Sequence, residues 1–130
     1  MREILFRGKS LGDGKLVLGD LYHRGEEIVI TSFYAGHHVA VDPATVGQFT
    51  GYWDKAGKRI FEGDVVKYYD IVVEKELISC VEWWEDGFVL QEIGGFNAPS
   101  ICFVFDESQV GIIGNIHDNP ELLKGGDADG

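Results

Sequence analysis

The sequence predicts a mainly β protein, and three features of its 130 residues support that prediction. The chain has 18 glycines but only 3 prolines, which is typical of many turns between short strands. Runs rich in Val, Ile, Thr and aromatic residues alternate with turns that carry Gly and Asp, as they do in antiparallel sheets. Only one segment, close to the C-terminus, begins like a helix. We therefore expect an antiparallel β architecture with one short C-terminal helix.

The first third of the chain predicts an antiparallel β-meander of three strands. Its first strand is interrupted at Gly8, and Gly12-Asp13-Gly14 supplies the tight reversal that follows. A second turn at residues 23–26 leads into the third strand. The strands are expected at residues 4–6, 15–22 and 27–34.

The rest of the chain predicts hairpins and one helix start. Asp42-Pro43 marks a turn, because the residue before a proline avoids the helical region. Loops are expected at 53–58 and at Glu85-Asp86-Gly87, a strong hairpin signal. A capping residue, a proline and an acid at residues 118–121 begin a helix that reaches Lys124. The further strands are expected at residues 46–52, 59–61, 65–69, 77–84, 88–93, 101–105 and 110–116.

The length and the turn pattern indicate a single domain over residues 1–124. A chain this long buries roughly two-thirds of its unfolded surface, so it needs no disulfide or metal to form a core. The weakest point for a sub-boundary lies near residues 36–45. Residues 125–130 have nothing to pack with and are expected to be a disordered tail.

Acidic residues are concentrated in the second half of the chain. The formal net charge is -11 at pH 7, from 11 basic and 22 acidic residues. Residues 1–65 carry eight Lys or Arg and nine Asp or Glu, a net of -1, whereas residues 66–130 carry three and thirteen, a net of -10. This balance argues against non-specific binding to nucleic acid or anionic lipid. We interpret the acidic half first as a solvated surface.

The sequence indicates a cytoplasmic protein without a membrane span. No apolar run approaches the roughly 18 residues that a spanning helix needs. Cys80 and Cys102 lie in apolar strand patterns and lack the close spacing of a redox pair or a zinc knuckle. Buried free thiols in a reducing compartment are therefore expected.

No motif in the chain predicts catalysis, a metal site or a cofactor. His37 and His38 are adjacent on an extended segment and so point to opposite faces, and no ligand pattern surrounds the other histidines. The carboxylate pairs fall at turns, where their charges are simply solvated. None of the serines lies in a Gly-x-Ser-x-Gly context, and no Gly-rich stretch opens onto a helix as a phosphate site would. We therefore expect a protein that is not an enzyme.

Aromatic residues beside glycine turns are the candidate binding residues. Adjacent aromatics on a strand cannot both point inward, so we expect one of Trp83 and Trp84 in the core and the other exposed to a partner. Burial of these rings within the chain itself is the alternative. The candidates are Tyr52, Trp53, Trp83, Trp84 and Phe88.

A long central block resembles the signature of the YopX-like family of phage and prophage proteins. The block contains Thr45-Val46-Gly47-Gln48-Phe49-Thr50-Gly51, then a lysine-glycine-lysine loop at 55–58, then the turn Phe61-Glu62-Gly63-Asp64. The two ends of the chain, residues 1–4 and 113–123, are similar to those of the family as well.

The resemblance implies an architecture and a context, and no activity. It implies a short cytoplasmic β protein of a phage or mobile element, with an SH3-like small barrel in its C-terminal part. The signature residues are expected to serve structure, with the glycines in turns and two aspartates bonded to nearby backbone. They are Gly47, Gly51, Asp54, Gly57, Glu62, Gly63 and Asp64.

We expect a non-enzymatic interaction module that binds a protein partner or associates with itself as a homo-oligomer. A nucleic-acid-linked role is the alternative, either weak binding or acidic DNA mimicry towards a host protein. Weak binding would use cations around the central hairpin, and mimicry would use the acidic half. Those cations are Lys55, Lys58, Arg59 and Lys67. An enzyme of unrecognised type is a third, less favoured reading.

Overall fold

The chain forms two antiparallel sheets, which confirms the mainly β prediction. The computed structural model describes residues 3–32, 36–70, 73–85, 87–95, 98–101 and 109–124. The chain divides into two compact units, Met1–Gly51 and Tyr52–Gly130. Strand β5 contains the junction between them. The one-domain prediction and the sub-boundary near 36–45 stay predictions.

The first unit contains the predicted meander, extended by two strands. Its strands follow the order β4-β3-β2-β1-β5, and every neighbouring pair is antiparallel. A 3₁₀ helix at Pro43–Thr45, capped by the Asp42 side chain, precedes β5. The strands are β1 (Phe6–Lys9), β2 (Leu16–Arg24), β3 (Glu27–Ser32), β4 (His38–Val41) and β5 (Gly47–Trp53).

Strand β1 differs from its prediction, because it runs through Gly8 instead of ending there. A Cβ atom at Gly8 would lie 3.2 Å from Val41 and 3.3 Å from Val46. The glycine therefore permits a close approach of the chain and does not mark a turn. The Asp42 N–H donates to the Lys9 carbonyl at 2.9 Å, which joins the end of β1 to the end of β4.

The second unit is built on a four-stranded sheet with the order β10-β7-β8-β9. Strand β6 lies beside β5 and leads through a tight turn into β7. The strands are β6 (Arg59–Phe61), β7 (Asp64–Asp70), β8 (Lys75–Trp84), β9 (Gly87–Glu92) and β10 (Val110–Asn115). A second 3₁₀ helix occupies Pro120–Lys124.

The core of the second unit lies on one face of this sheet. Paired residues of β7, β8, β9 and β10 share that face, because residues directly opposite each other in a ladder point the same way. Each fully buried aliphatic or aromatic side chain contributes roughly 1.5–3 kcal/mol to folding. The cluster consists of Ile60, Val66, Tyr68, Leu77, Val81, Phe88, Leu90, Ile101 and Val110.

Three predictions about elements need comment. Neither sheet closes into a barrel within the described residues, so the SH3-like barrel is not confirmed. The predicted C-terminal helix is a 3₁₀ helix of 5 residues. Apart from Ile101, the predicted strand at 101–105 lies outside the described residues, as does the predicted tail at 125–130.

No helix in the part of the chain that the structure describes has the length and hydropathy needed to cross a membrane.

The loop between β5 and β6 covers the outer edge of β10 through the Asp54 carboxylate. Oδ1 of Asp54 accepts hydrogen bonds from the N–H groups of Ala56 and Lys58, both at 2.9 Å. Oδ2 accepts from the Ile112 N–H on β10 at 3.2 Å. The Lys55 N–H adds a bond of 2.8 Å to the Val110 carbonyl. The loop therefore provides hydrogen-bond partners for backbone N–H and C=O groups of β10 that would be unpaired in an uncovered edge strand.

Asp54 is only 5% exposed, and two opposing effects act on its pKa. Burial raises the pKa, whereas the hydrogen bonds from the Lys58, Ile112 and Ala56 N–H groups lower it. The hydrogen bonds prevail, and the pKa lies below the ordinary value for aspartate. Asp54 is therefore ionised in the folded protein at neutral pH.

We predict that Asp54→Asn lowers the free energy of unfolding by about 2 kcal/mol at neutral pH, because hydrogen bonds to a charged acceptor are stronger than neutral ones. The folded-state pKa is depressed, so the carboxylate stabilises the fold above its unfolded pKa and loses that effect as pH falls through the folded pKa. The difference between wild type and variant should therefore shrink in acid. Urea unfolding at several pH values measures it.

The control for this prediction is Asp13→Asn. The Asp13 carboxylate also accepts a backbone hydrogen bond, from the Lys15 N–H at 3.0 Å, but it lies in an exposed turn. That variant should change stability far less. A loss for Asp54→Asn no greater than that for Asp13→Asn would contradict the structural role of Asp54.

Candidate functional site

The hairpin between β8 and β9 carries two adjacent exposed aromatic residues, Trp83 and Trp84. Trp83 pairs with Phe88 and Trp84 with Gly87, which leaves a two-residue loop between the strands. Glu85, the first loop residue, has a φ of 41°, in the left-handed region that favours glycine. The sequence pattern assigned a turn role to Gly87, but Gly87 begins β9.

Trp83 is 51% exposed and Trp84 is 45% exposed. The prediction that one of them lies in the core is therefore wrong. Adjacent strand residues point to opposite faces, and near the tip of a hairpin neither face is fully covered. The hairpin thus presents an indole ring on each side.

Both indole rings are held by neighbours within the hairpin. Trp83 packs edge-on against Phe88, with ring centroids 4.9 Å apart and an interplanar angle of 75°. Phe88 is 7% exposed and belongs to the core, so Trp83 rests on a fixed support. The Trp84 Nε1–H donates to the Glu82 carboxylate at 3.0 Å. Ordered aromatic surface of this kind loses little conformational entropy when it binds.

A pocket of about 330 Å³ opens beside Trp84. Its walls are mostly apolar, and Glu85 is the charged residue among them. The lining residues are Trp84, Glu85, Gly87, Phe88, Val89 and Ser100. We call Trp83 and Trp84, together with this pocket, the tryptophan hairpin.

The other two predicted aromatic residues serve the fold in their observed contacts. Tyr52 is partly buried and packs against the core cluster of the second unit. The guanidinium of Arg59 lies over the Trp53 ring, with Cζ 4.5 Å from the centroid. Neither Tyr52 nor Trp53 lines the pocket. Of the five predicted binding residues, the tryptophan hairpin brings together Trp83, Trp84 and Phe88.

Charges are segregated within the second unit. Residues 76–123 contain no Lys or Arg, although they carry Glu82, Glu85 and further acids. The exposed Lys55 and Lys58 lie in the loop that covers β10, and β10 and β9 are the two outer strands of the sheet. The two loop lysines therefore lie at the β10 edge and the tryptophan hairpin lies on the β9 side, while Lys67 and Lys75 lie on the inner strands β7 and β8. Sequence composition showed the acidic half but not this placement.

The buried titratable groups of the core are not activated. Burial raises the pKa of the Cys80 thiol to about 12, and the nearby Glu82, Asp64 and Glu62 carboxylates add to the effect. Burial also raises the pKa of Tyr68. Both groups therefore stay neutral at physiological pH and lack the lowered pKa of a nucleophile. Within the described residues, no three His, Cys, Asp or Glu side chains gather as metal ligands would.

The remaining signature residues are structural in their observed contacts. Gly63 has a φ of 95° in the turn between β6 and β7, and the Asp64 carboxylate accepts the Phe61 N–H at 2.8 Å. Gly57 likewise has a φ of 81° in its turn, as predicted. Gly51 also has a positive φ, 94°, but it lies inside β5 and not in a turn, so the turn predicted there is wrong.

The end of β10 forms a second network, which connects to the Gly63 turn. The Ile116 N–H donates to the Gly63 carbonyl at 2.9 Å. The Asn115 side-chain oxygen accepts from the N–H groups of His117 and Asp118, at 3.0 and 2.9 Å. The Asn119 side-chain oxygen in turn accepts the Asn115 N–H at 3.2 Å. These contacts join the end of β10 to the turn at Gly63, so the two segments build one scaffold.

We predict that Gly114→Ala destabilises the protein by about 2 kcal/mol, the cost of overpacking a filled site. The new Cβ would lie 2.6 Å from the Asn119 side-chain oxygen and 2.9 Å from Leu122 Cδ1. Gly111→Ala on the same strand is the matched control, because its Cβ would meet only the flexible end of Lys55, at 3.1 Å. Thermal unfolding compares the two variants. Equal stability would contradict this packing.

We predict that Cys80 resists alkylation in the native protein. Cys102→Ser leaves Cys80 as the single thiol of the chain. With a pKa of about 12 and a buried sulfur, its reaction with iodoacetamide should be at least about a hundredfold slower than in denaturant. Mass spectrometry follows the modification. Native labelling as fast as in the unfolded chain would show that Cys80 is accessible.

The model of the family described as YopX protein matches residues 11–124. Among solved structures, the crystal structure of protein EF1440 from Enterococcus faecalis is similar, with a TM-score of 0.55 and 22% identity over 95% of this chain and 99% of that one. Identity this low supports a shared fold alone. No curated protein matches significantly. Since the family match spans nearly all of the sequence, this chain belongs to the YopX family.

Proposed function

We propose that this chain is a non-enzymatic protein-interaction module that meets its partner through the tryptophan hairpin. One observation carries the proposal: Trp83 and Trp84 are adjacent, ordered and both about half exposed. Exposed apolar patches on a protein surface often mark binding sites. Tryptophan is also enriched among the interface residues that contribute most of the binding free energy. The pocket beside Trp84 adds a concave feature into which a partner side chain can insert.

The proposal includes the biological context of the protein and the type of fold that carries the interaction. The family resemblance supports a protein of a phage, prophage or other mobile element that acts in the bacterial cytoplasm. It also supports a barrel of the SH3-like type for the C-terminal part, a fold that commonly serves as a binding module. Self-association through the tryptophan hairpin is one form that the interaction can take.

Direct nucleic-acid binding is disfavoured by how the cations of the central hairpin are used. Arg59 lies over the Trp53 ring, and the Lys67 Nζ is 3.3 Å from the Glu76 carboxylate. Lys55 and Lys58 are the exposed cations of that set that lie in the loop, and the third exposed cation, Lys67, is the one paired with Glu76. Two lysines give a small electrostatic footprint beside so many acids.

Acidic DNA mimicry is the second candidate, favoured by the absence of Lys and Arg from residues 76–123. It makes a distinct prediction. Capture of a basic DNA-binding protein would weaken as salt rises and would be unchanged by replacement of the tryptophans.

We predict that the double variant Trp83→Ala/Trp84→Ala loses a partner that the wild-type chain retains. Immobilised chains are exposed to a bacterial lysate, and retained proteins are compared by mass spectrometry. The control is Tyr69→Ala, since Tyr69 lies in the same sheet and is also 45% exposed. Thermal unfolding verifies that each variant is folded, and sedimentation velocity over a range of concentrations detects self-association.

The proposal is supported if a protein, or a second copy of the chain, binds the wild type and Tyr69→Ala but not the double variant. Identical binding by all three chains would assign the interaction to another surface. A chain that stays monomeric and retains nothing would contradict the proposal as a whole.

A further inference from the structure

We propose that the pocket beside Trp84 binds the cationic end of an Arg or Lys side chain presented by a partner protein. This inference rests on the proposed function and names the chemistry of the partner. It depends on the composition of the pocket, on the distribution of charge around it and on the residue that occupies the hairpin loop.

The pocket combines an aromatic wall with one carboxylate. Trp84 contributes an aromatic ring, and Glu85 contributes the negative charge. A guanidinium or ammonium group is attracted to an aromatic face, most strongly to that of tryptophan, and it forms an ion pair with a carboxylate. The apolar stem of Arg or Lys can meanwhile pack on Val89 and the ring surfaces. No cationic side chain is among the lining residues.

The size of the pocket fits one side chain. Its volume of about 330 Å³ is at the lower end of the range of roughly 300–1,000 Å³ that is usual for ligand sites. A large cofactor or a dinucleotide needs more room. Trp84 is 45% exposed, so its ring extends the contact beyond the pocket and the segment that carries the cation also gains apolar contacts.

The charges of the sheet leave the pocket open to an external cation. Lys75 is at the opposite end of β8 from Trp84, and nine steps of roughly 3.3 Å separate them by about 30 Å. Lys67 forms its ion pair with Glu76 near that distant end. Neither Lys67 nor Lys75 therefore competes for Glu85.

The acidic neighbours add to this preference. The Glu82 carboxylate accepts the Trp84 Nε1–H, which holds the indole ring and places a second negative charge beside it. Electrostatic complementarity of this kind selects partners by the sign of their charge and accelerates their encounter. An acidic partner segment would be repelled from both carboxylates.

Because of the backbone conformation of Glu85, one substitution can distinguish its effect on hairpin stability from its effect on ligand binding. Its φ of 41° is one that glycine adopts at lower cost, so Glu85→Gly should keep or increase the stability of the hairpin. The same change removes the carboxylate from the pocket. A variant that is at least as stable but binds less well would show that Glu85 acts on the ligand and not on the fold.

The experiment uses two synthetic tetrapeptides that differ in charge alone. The first is acetyl-Gly-Arg-Arg-Gly-amide, and the second replaces each arginine by citrulline, which is neutral and nearly isosteric. Each is titrated into the full-length protein at low ionic strength, and NMR follows the indole N–H signals of the three tryptophans. Trp53 is the internal control, because Arg59 already lies over its ring.

We expect the arginine peptide to shift the Trp84 indole signal in a saturable way, with the Trp53 signal unchanged and no saturation by the citrulline peptide. Glu85→Gln should weaken binding about fivefold and Trp84→Ala about tenfold. Raising the ionic strength from about 0.05 M to about 0.5 M should weaken it further, because Glu85 is exposed. Tyr69→Ala should leave the affinity unchanged.

Equal binding of the two peptides, no binding of either, or equal shifts of all three indole signals would overturn the proposal. So would a dimer that Trp84→Ala dissociates and that the arginine peptide does not compete with, because a second copy would then occupy the pocket. Failure here is distinguishable from failure of the proposed function. If the lysate experiment still shows a partner that depends on the tryptophans, the interaction module stands and only the cationic class is wrong.

Discussion

The Asp54 carboxylate is the constraint on which the second unit depends. Its two oxygens accept N–H groups from the loop after β5 and from β10, and 58 residues separate the most distant pair. This one side chain both shapes the hairpin loop and attaches it to an outer strand of the sheet. With β10 held along β7, the sheet gains the continuous apolar face that buries its core. A buried carboxylate is tolerated here because backbone donors satisfy it.

The signature segments and the β8–β9 hairpin therefore have separate roles, one in folding and one in the proposed binding. The signature block and the motif at the end of β10 meet through Gly63 and Ile116, and their polar side chains are engaged with backbone groups. They build a scaffold. The β8–β9 hairpin lies at the other edge of the same sheet, where it is free to carry exposed aromatic and acidic groups. The part of the chain that identifies the family is thus different from the part that we propose meets a partner.

Local sequence signals predicted the strands and turns well, because the chemistry that makes a turn lies within a few residues. The turn at Gly63 and the bonds of Asp54 within its own loop are of this kind. Local sequence patterns do not predict contacts between residues that are distant in the chain. No residue near Asp54 in the sequence predicts its contact with Ile112. Gly8 has the local pattern of a strand break, because the residue that it approaches, Val41, is far away in sequence.

The candidate site was predictable in part for the same reason. Alternation along a strand correctly separated Trp83 from Trp84, but their exposure depends on how far the hairpin extends past the core. The sequence predicts Glu85 as a turn residue but not as a residue of the site, because nothing in the pattern indicates that a glutamate adopts a positive φ there.

The most direct test of these separate roles for the signature segments and the β8–β9 hairpin is a map of backbone amide signals by NMR, recorded with and without the arginine tetrapeptide. Our account predicts that the perturbed amides lie at residues 82–89 and at Ser100, while those of residues 54–64 and 112–119 stay in place. Perturbations centred on the Asp54 loop or on the Gly63 turn would contradict it, because they would place the binding surface on the signature itself.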